Sequence, residues 1–166
     1  CHGLGLAGYN DFKLALAKTD HVTDMGELSD SPQGIASEDS LNTIFQKIHK
    51  ASVLSLNETL ELLDENAINK AVDLLVQADR VFCFGNGGSM VMAMEAWARF
   101  STATSRFVHV SDSHMQIMNT ALATSRDVLL VFSYSGSTKD MEDTLQIARE
   151  HGVSIILVTH YPNSRA

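Results

Sequence analysis

Two short apolar runs that break off into loops of glycines or hydroxyls constrain this chain more than any other feature. In Asp127-Val128-Leu129-Leu130-Val131-Phe132-Ser133-Tyr134-Ser135-Gly136-Ser137-Thr138, the unbroken apolar stretch Val128 to Phe132 runs into the four hydroxyls of Ser133, Ser135, Ser137 and Thr138 and one glycine. A run without polar alternation fits a parallel strand covered on both faces. Gly136 allows a tight turn, and a helix starting near Thr138 would begin with N–H groups that lack intrahelical partners. Such a terminus suits a phosphate, although a single Ser-rich turn is also explained by helix capping.

A second junction of the same kind, Val81-Phe82-Cys83-Phe84 followed by Gly85-Asn86-Gly87-Gly88-Ser89, asks for one explanation of both. If the strands are parallel, both loops lie at the carboxyl edge of one sheet, where open α/β folds bind ligands at a reversal of strand order. A flavodoxin-like order of 2-1-3-4 makes the first and third strands neighbours. The two loops then share one crevice.

The remainder of the chain agrees with a sheet of this type. Strands are expected at Val81 to Phe84, Phe107 to Val110, Val128 to Phe132 and Val153 to Val158, alternating with helices at Ser89 to Phe100, Asp112 to Ala123 and Lys139 to His151, the last closed by Gly152. This alternation predicts an α/β fold, a three-layer αβα parallel sheet of flavodoxin-like type preceded by helices. Met90, Met92, Met94, Trp97 and Phe100 are expected to pack in the core. Upstream, Ser37-Glu38-Asp39 reads as a helix entrance, and Leu41, Ile44, Phe45, Ile48, Leu56, Leu60 and Leu63 form a stripe on a long helix that could break at Ser52 or Ser55. A second helix is expected from Asp64 to Asn66 onward. The two could cover the sheet or form a subunit contact. From Thr19 to Gln46 there are six acids and no Lys or Arg, with Gly26, Pro32 and Gly34 interrupting any period, which reads as a linker.

Composition narrows the function classes. With 166 residues, of which 45% are hydrophobic and 19% charged, the chain can bury a core. It has no apolar stretch of about eighteen residues, so no membrane partner is expected and a cytoplasmic location is. The net charge of −8 argues against a broad basic nucleic-acid footprint. Two cysteines, Cys1 and Cys83, cannot make a disulfide framework, and seven histidines without HxxxH or HExxH spacing suggest no metal or other cofactor.

Competing chemistries fit less well. Gly85-x-Gly87 begins a dinucleotide motif but has Met90 in place of the third glycine, and no Gly-Lys-Ser/Thr ending exists for a Walker A loop. Ser135 could be set beside His114 and Asp112 as a nucleophile, yet Ser133 stands where a nucleophile elbow needs its first glycine. His114 itself is either a ligand contact or the exposed first-turn residue of a helix capped by Asp112.

Taken together, Gly85-Asn86-Gly87-Gly88-Ser89 and Ser133-Tyr134-Ser135-Gly136-Ser137-Thr138 resemble the two phosphosugar motifs of the sugar isomerase (SIS) domain. Cys1-His2-Gly3-Leu4-Gly5-Leu6-Ala7-Gly8-Tyr9-Asn10-Asp11-Phe12-Lys13-Leu14-Ala15-Leu16 resembles the close of the helix-turn-helix domain of RpiR-type transcriptional regulators. The resemblance divides the chain into a helix-turn-helix remnant at 1–18, an acidic linker at 19–37, and an SIS domain at 38–166 that is expected to lack its last part. It implies a phosphosugar effector, operator DNA bound through the N-terminal domain of the parent protein, and a homodimer or higher homo-oligomer. On the motif positions, Ser133, Ser135, Gly136, Ser137 and Thr138 would hold the phosphate, while Ser89 and His114 would contact the sugar. The Ser133–Asp140 loop also resembles that of regulators of sialic acid use, which suggests an amino-sugar phosphate such as N-acetylmannosamine 6-phosphate. The enzymatic alternative, a phosphosugar isomerase, needs a general base near C1 and C2 of its substrate. Neither loop contains Glu, and Glu95 lies well inside the following helix. No catalytic residue is therefore expected.

Overall fold

The computed structural model describes residues 34–136 and 139–160; the expected helix-turn-helix remnant, most of the linker, Ser137 and Thr138 lie outside the described residues. The chain divides into two compact units, residues 1–62 and 63–166.

In the first unit, helix α1 spans Leu41–Leu62. Its cap is Ser40 rather than the expected Ser37: the Thr43 N–H donates to Ser40 Oγ at 3.2 Å, and the Ser40 carbonyl accepts from the Ile44 N–H at 2.9 Å. Asp39 is drawn away from the helix, because its carboxylate accepts from the Ala36 N–H and pairs with Lys47, each at 2.7 Å. No break occurs at Ser52 or Ser55. The Ser52 hydroxyl donates to the Ile48 carbonyl at 2.9 Å, and Thr59 bonds Ser55 O in the same way, so these hydroxyls are satisfied without leaving the helix. Leu41, Phe45, Ile48, Leu56 and Leu60 remain exposed.

The second unit opens with α2, Glu65–Gln77, whose N-cap Asp64 accepts from the N–H groups of Asn66 and Ala67. It continues with β1 (Val81–Gly85), α3 (Ser89–Ser101), β2 (Phe107–His109), α4 (Ser113–Ala121), β3 (Val128–Phe132), α5 (Lys139–Glu150) and β4 (Ser154–Val158). The strands form one parallel sheet in the order β2-β1-β3-β4, as the two-loop reading requires. Alternation along β1 and β3 divides the core. Phe82, Phe84, Leu129 and Val131 pack with Ala123, Met141, Leu145 and Ala148, while Val81, Cys83, Val128 and Leu130 pack with Ala78, Ala93 and Phe107. Each buried Leu or Phe contributes about 1.5–3 kcal/mol, so the two central strands anchor the unit.

Helix α3 departs from expectation. Of its residues only Ala93 is buried, whereas Met92 is 55% and Met94 46% exposed. The cause lies at the strand end: a Cβ on Gly85 would sit 2.5 Å from the Ser89 carbonyl oxygen. The helix starts almost against the strand, so small residues must fill the contact. Met92, Met94 and Trp97 fall on the flanks, Met90 is half-buried, and Phe100, itself exposed, stacks on Phe107 with ring centroids 4.4 Å apart. At the other end of the unit Gly152 closes α5 as expected, at φ +68°, with Val153 N–H bonded to Ala148 O and Gly152 N–H to Arg149 O. Among the described residues no helix is long and apolar enough to cross a membrane.

Candidate functional site

Pairing between β1 and β3 sets Gly85 beside Phe132, so the two loops leave the sheet as neighbours. Between them lies a cavity of about 470 Å³. Asn86, Gly88 and Ser89 line it from the first loop, Ser133, Tyr134 and Ser135 from the second, and Met92, Phe132 and Met141 supply apolar wall.

The first loop turns at Gly87, φ +56°, which favours glycine. The N–H groups of Ser89, Met90 and Val91 are occupied by the carbonyls of Asn86, Gly87 and Gly88 at 3.1, 3.2 and 3.3 Å. With these three amides engaged, Asn86 and Ser89 are the polar side chains that this loop brings to the cavity.

The second loop is organised by Ser133. Its N–H extends the sheet to the Val158 carbonyl at 3.0 Å, and its buried Oγ accepts from the Gly136 N–H at 3.1 Å. Gly136 itself takes φ +61°, a conformation that favours glycine. Because Oγ accepts from the loop, the Ser133 hydroxyl proton is the part left to donate to a ligand. Ser135 is exposed on the cavity wall. Helix α5 begins at Lys139, directly after the loop, and its amino-terminal dipole favours negative charge there.

Of the residues singled out from sequence, Ser89, Ser133 and Ser135 meet at this cavity, and Gly136 is engaged in shaping it. Ser137 and Thr138 lie outside the described residues. His114 is exposed on the first turn of α4, behind the Asp112 cap that accepts from the Met115 N–H at 2.8 Å, and is not among the residues lining the cavity. Sequence reasoning missed Gln116. Only 1% exposed, it donates through Nε2 to the carbonyls of Gly85 at 3.2 Å and Val110 at 2.8 Å. One amide thus ties the start of the first loop to the end of β2. The signal available was a polar side chain set among Met115, Ile117 and Met118. Cys83, buried in β1, packs as a hydrophobe; burial pushes its thiol up to about 12, which leaves it protonated and unreactive.

Glu95, the first carboxylate after the first loop, is ion-paired to Arg99 at 2.6 Å on the exposed side of α3 and does not line the cavity. Among the described lining residues there is neither a carboxylate nor an imidazole. The chemistry on offer is hydroxyl, amide and apolar contact.

Residues 74–166 match the SIS domain. Along 96% of its length the chain is 31% identical to the HTH-type transcriptional regulator HexR of Pseudomonas aeruginosa and 30% identical to HexR of Escherichia coli, of which it covers 54% each. It therefore spans about half the length of these curated relatives. Among solved structures, Vibrio vulnificus NanR complexed with ManNAc-6P shares the fold with a TM-score of 0.75 at 23% identity, over 99% of this chain and 55% of that one. The sugar isomerase domain of an RpiR transcription factor from Sphaerobacter thermophilus gives 0.69 at 22% identity, over 73% and 68%. Phosphoheptose isomerase GmhA from Neisseria gonorrhoeae gives 0.61 at 20% identity, over 72% and 75%.

Proposed function

The chain belongs to the SIS domain family, and from that premise we propose that it is the phosphosugar-sensing effector region of an RpiR-type transcriptional regulator. The observation that carries this reading is the convergence of Ser89, Ser133 and Ser135 on one cavity whose described lining offers hydrogen-bond donors but neither a carboxylate nor an imidazole. The hydroxyls of the second loop and the start of α5 receive the phosphate; Ser89 and Asn86 receive the sugar. Ser137 and Thr138 complete the phosphate side.

The shared fold includes isomerases, so enzyme and sensor must be separated by chemistry rather than architecture. Isomerisation moves a proton between C1 and C2 and needs a positioned base. The cavity supports binding without that step. The regulator relatives point the same way, and N-acetylmannosamine 6-phosphate, the ligand of the NanR complex, is the first candidate effector. In the parent protein the effector would change DNA affinity by its differential affinity for two conformations, typically about 1–3 kcal/mol. DNA contact and self-association belong to that parent.

Titration calorimetry of this chain with aldose, ketose and N-acetylhexosamine 6-phosphates tests the proposal. At least one is expected to bind saturably and to be recovered unchanged after prolonged incubation with the full-length parent. Steady aldose–ketose interconversion by the purified parent would establish an isomerase instead.

A further inference from the structure

The lining of the cavity is divided by chemistry, and the apolar part is not accounted for by phosphate recognition. Tyr134 stands between the two serines of the second loop and is 65% exposed, yet it is held on both its backbone and its ring. Its carbonyl accepts from Thr159 Oγ1 at 3.3 Å and from the His160 N–H at 3.4 Å, both at the carboxyl end of β4. Its ring lies parallel to the His160 ring, with centroids 5.0 Å apart and planes 4° apart. Met92, 55% exposed, also borders the cavity, and Phe132 and Met141 add apolar surface.

We propose that Tyr134, backed by His160, is the platform on which the sugar stacks, and that the site selects the closed pyranose form of a hexose 6-phosphate over the open chain. The inference rests on the phosphosugar reading above. A pyranose carries its C–H groups on its two faces and most of its hydroxyls around its rim. Its faces match an aromatic plane and a thioether, while its rim suits Asn86 and Ser89. An open chain turns hydroxyls in every direction and would strand several of them against Tyr134 and Met92, where they lose water without gaining partners. With phosphate on Ser133 and Ser135, the ring attached to it begins within reach of the residue between them. The selection also opposes isomerase chemistry, because proton transfer between C1 and C2 requires the opened sugar.

The experiment uses matched ligands of equal charge: 1,5-anhydroalditol 6-phosphates, locked as rings, and the corresponding alditol 6-phosphates, locked open, in the glucose, mannose and N-acetylmannosamine series. Each is titrated into the 166-residue chain and into the variants Tyr134→Ala and Tyr134→Phe, with melting temperatures measured alongside. The expected result is that the best-bound series favours its ring form by roughly ten-fold or more, that Tyr134→Ala lowers affinity for the ring form by roughly five- to ten-fold while changing the open form less than two-fold, and that Tyr134→Phe keeps the preference. Equal affinity for ring and open forms in the unmodified chain, or equal loss of both in Tyr134→Ala, overturns the platform and leaves the phosphosugar reading intact. Absence of saturable binding by every member, with inorganic phosphate also silent, removes that reading and the platform together.

Discussion

The two ends of strands β1 and β3 are built on opposite plans. At the amino end, Arg80 clasps Asp127 through Nε and Nη2 at 2.9 and 2.8 Å, and Asp127, 1% exposed, also accepts from the Thr124 N–H and hydroxyl. At the carboxyl end, Ser89 and Ser135 face a cavity, and two of the backbone groups there, Gly136 N–H and the Gly85 carbonyl, are bonded by side chains that shape the loops. The same pair of strands thus closes its polar groups on itself at one end and leaves hydroxyls for a ligand at the other. Stability and recognition are separated along the strand axis, so substitutions at the two ends should move different measurements.

Asp127→Ala is the strongest way to break the comparison. It strands the Thr124 N–H and leaves Arg80 to water, which should cost about 3 kcal/mol of stability. Phosphosugar affinity, measured well below the melting transition, should stay within two-fold. The same carboxylate predicts an acid dependence. Hydrogen bonds from Arg80, aided by those from Thr124 and opposed by burial, hold its folded-state pKa below the ordinary carboxylate value. The associated stability is therefore complete above about pH 4 and lost as pH falls through the lowered folded value. Urea titrations across that window should show the slope in the unmodified chain and a reduced slope in Asp127→Asn.

Gln116→Met sharpens the comparison, since its amide belongs to the carboxyl end although it is buried like Asp127. Losing the bonds to Gly85 and Val110 should cost about 1–2 kcal/mol of stability and, by freeing the first loop, lower affinity roughly five-fold. A lower melting temperature with unaltered affinity would make Gln116 purely structural. The smallest effect is expected of Gly152→Ala, where φ +68° strains any other residue: about 1 kcal/mol of stability, read in thermal melts, and no change in binding.

How much of this was legible in the sequence depends on the range of the interaction. Strand β3 and the starts of α3 and α5 were expected at their observed positions, and the strand order followed from the demand that two loops share a crevice. Local competition was less readable. Ser37 and Ser40 are both sound caps, and Asp39, recruited by Ala36 and Lys47, decides for Ser40. Met92 and Met94 of α3 looked like core because their hydrophobicity is visible in sequence, while the close approach at Gly85 that turns them outward is not. Contacts between distant positions were invisible: Arg80 with Asp127, 47 residues apart, and Gln116 with Gly85, 31 apart. At the site, the serines were found by their loop chemistry. Tyr134, Met92 and Phe132 were not, since an apolar wall has no motif.

The central claim is that the second loop recognises a phosphate with its hydroxyls, and Ser135→Ala tests it most directly because Ser135 is exposed and carries no part of the core. A charge-assisted hydrogen bond contributes about 1.5–3 kcal/mol, so calorimetry should show affinity for the best-bound 6-phosphate falling roughly ten- to a hundred-fold with an unchanged melting temperature. The unmodified chain should not bind the same sugar without its phosphate. A lower melting temperature with unchanged affinity, or equal affinity for the phosphorylated and unphosphorylated sugar, would contradict the account.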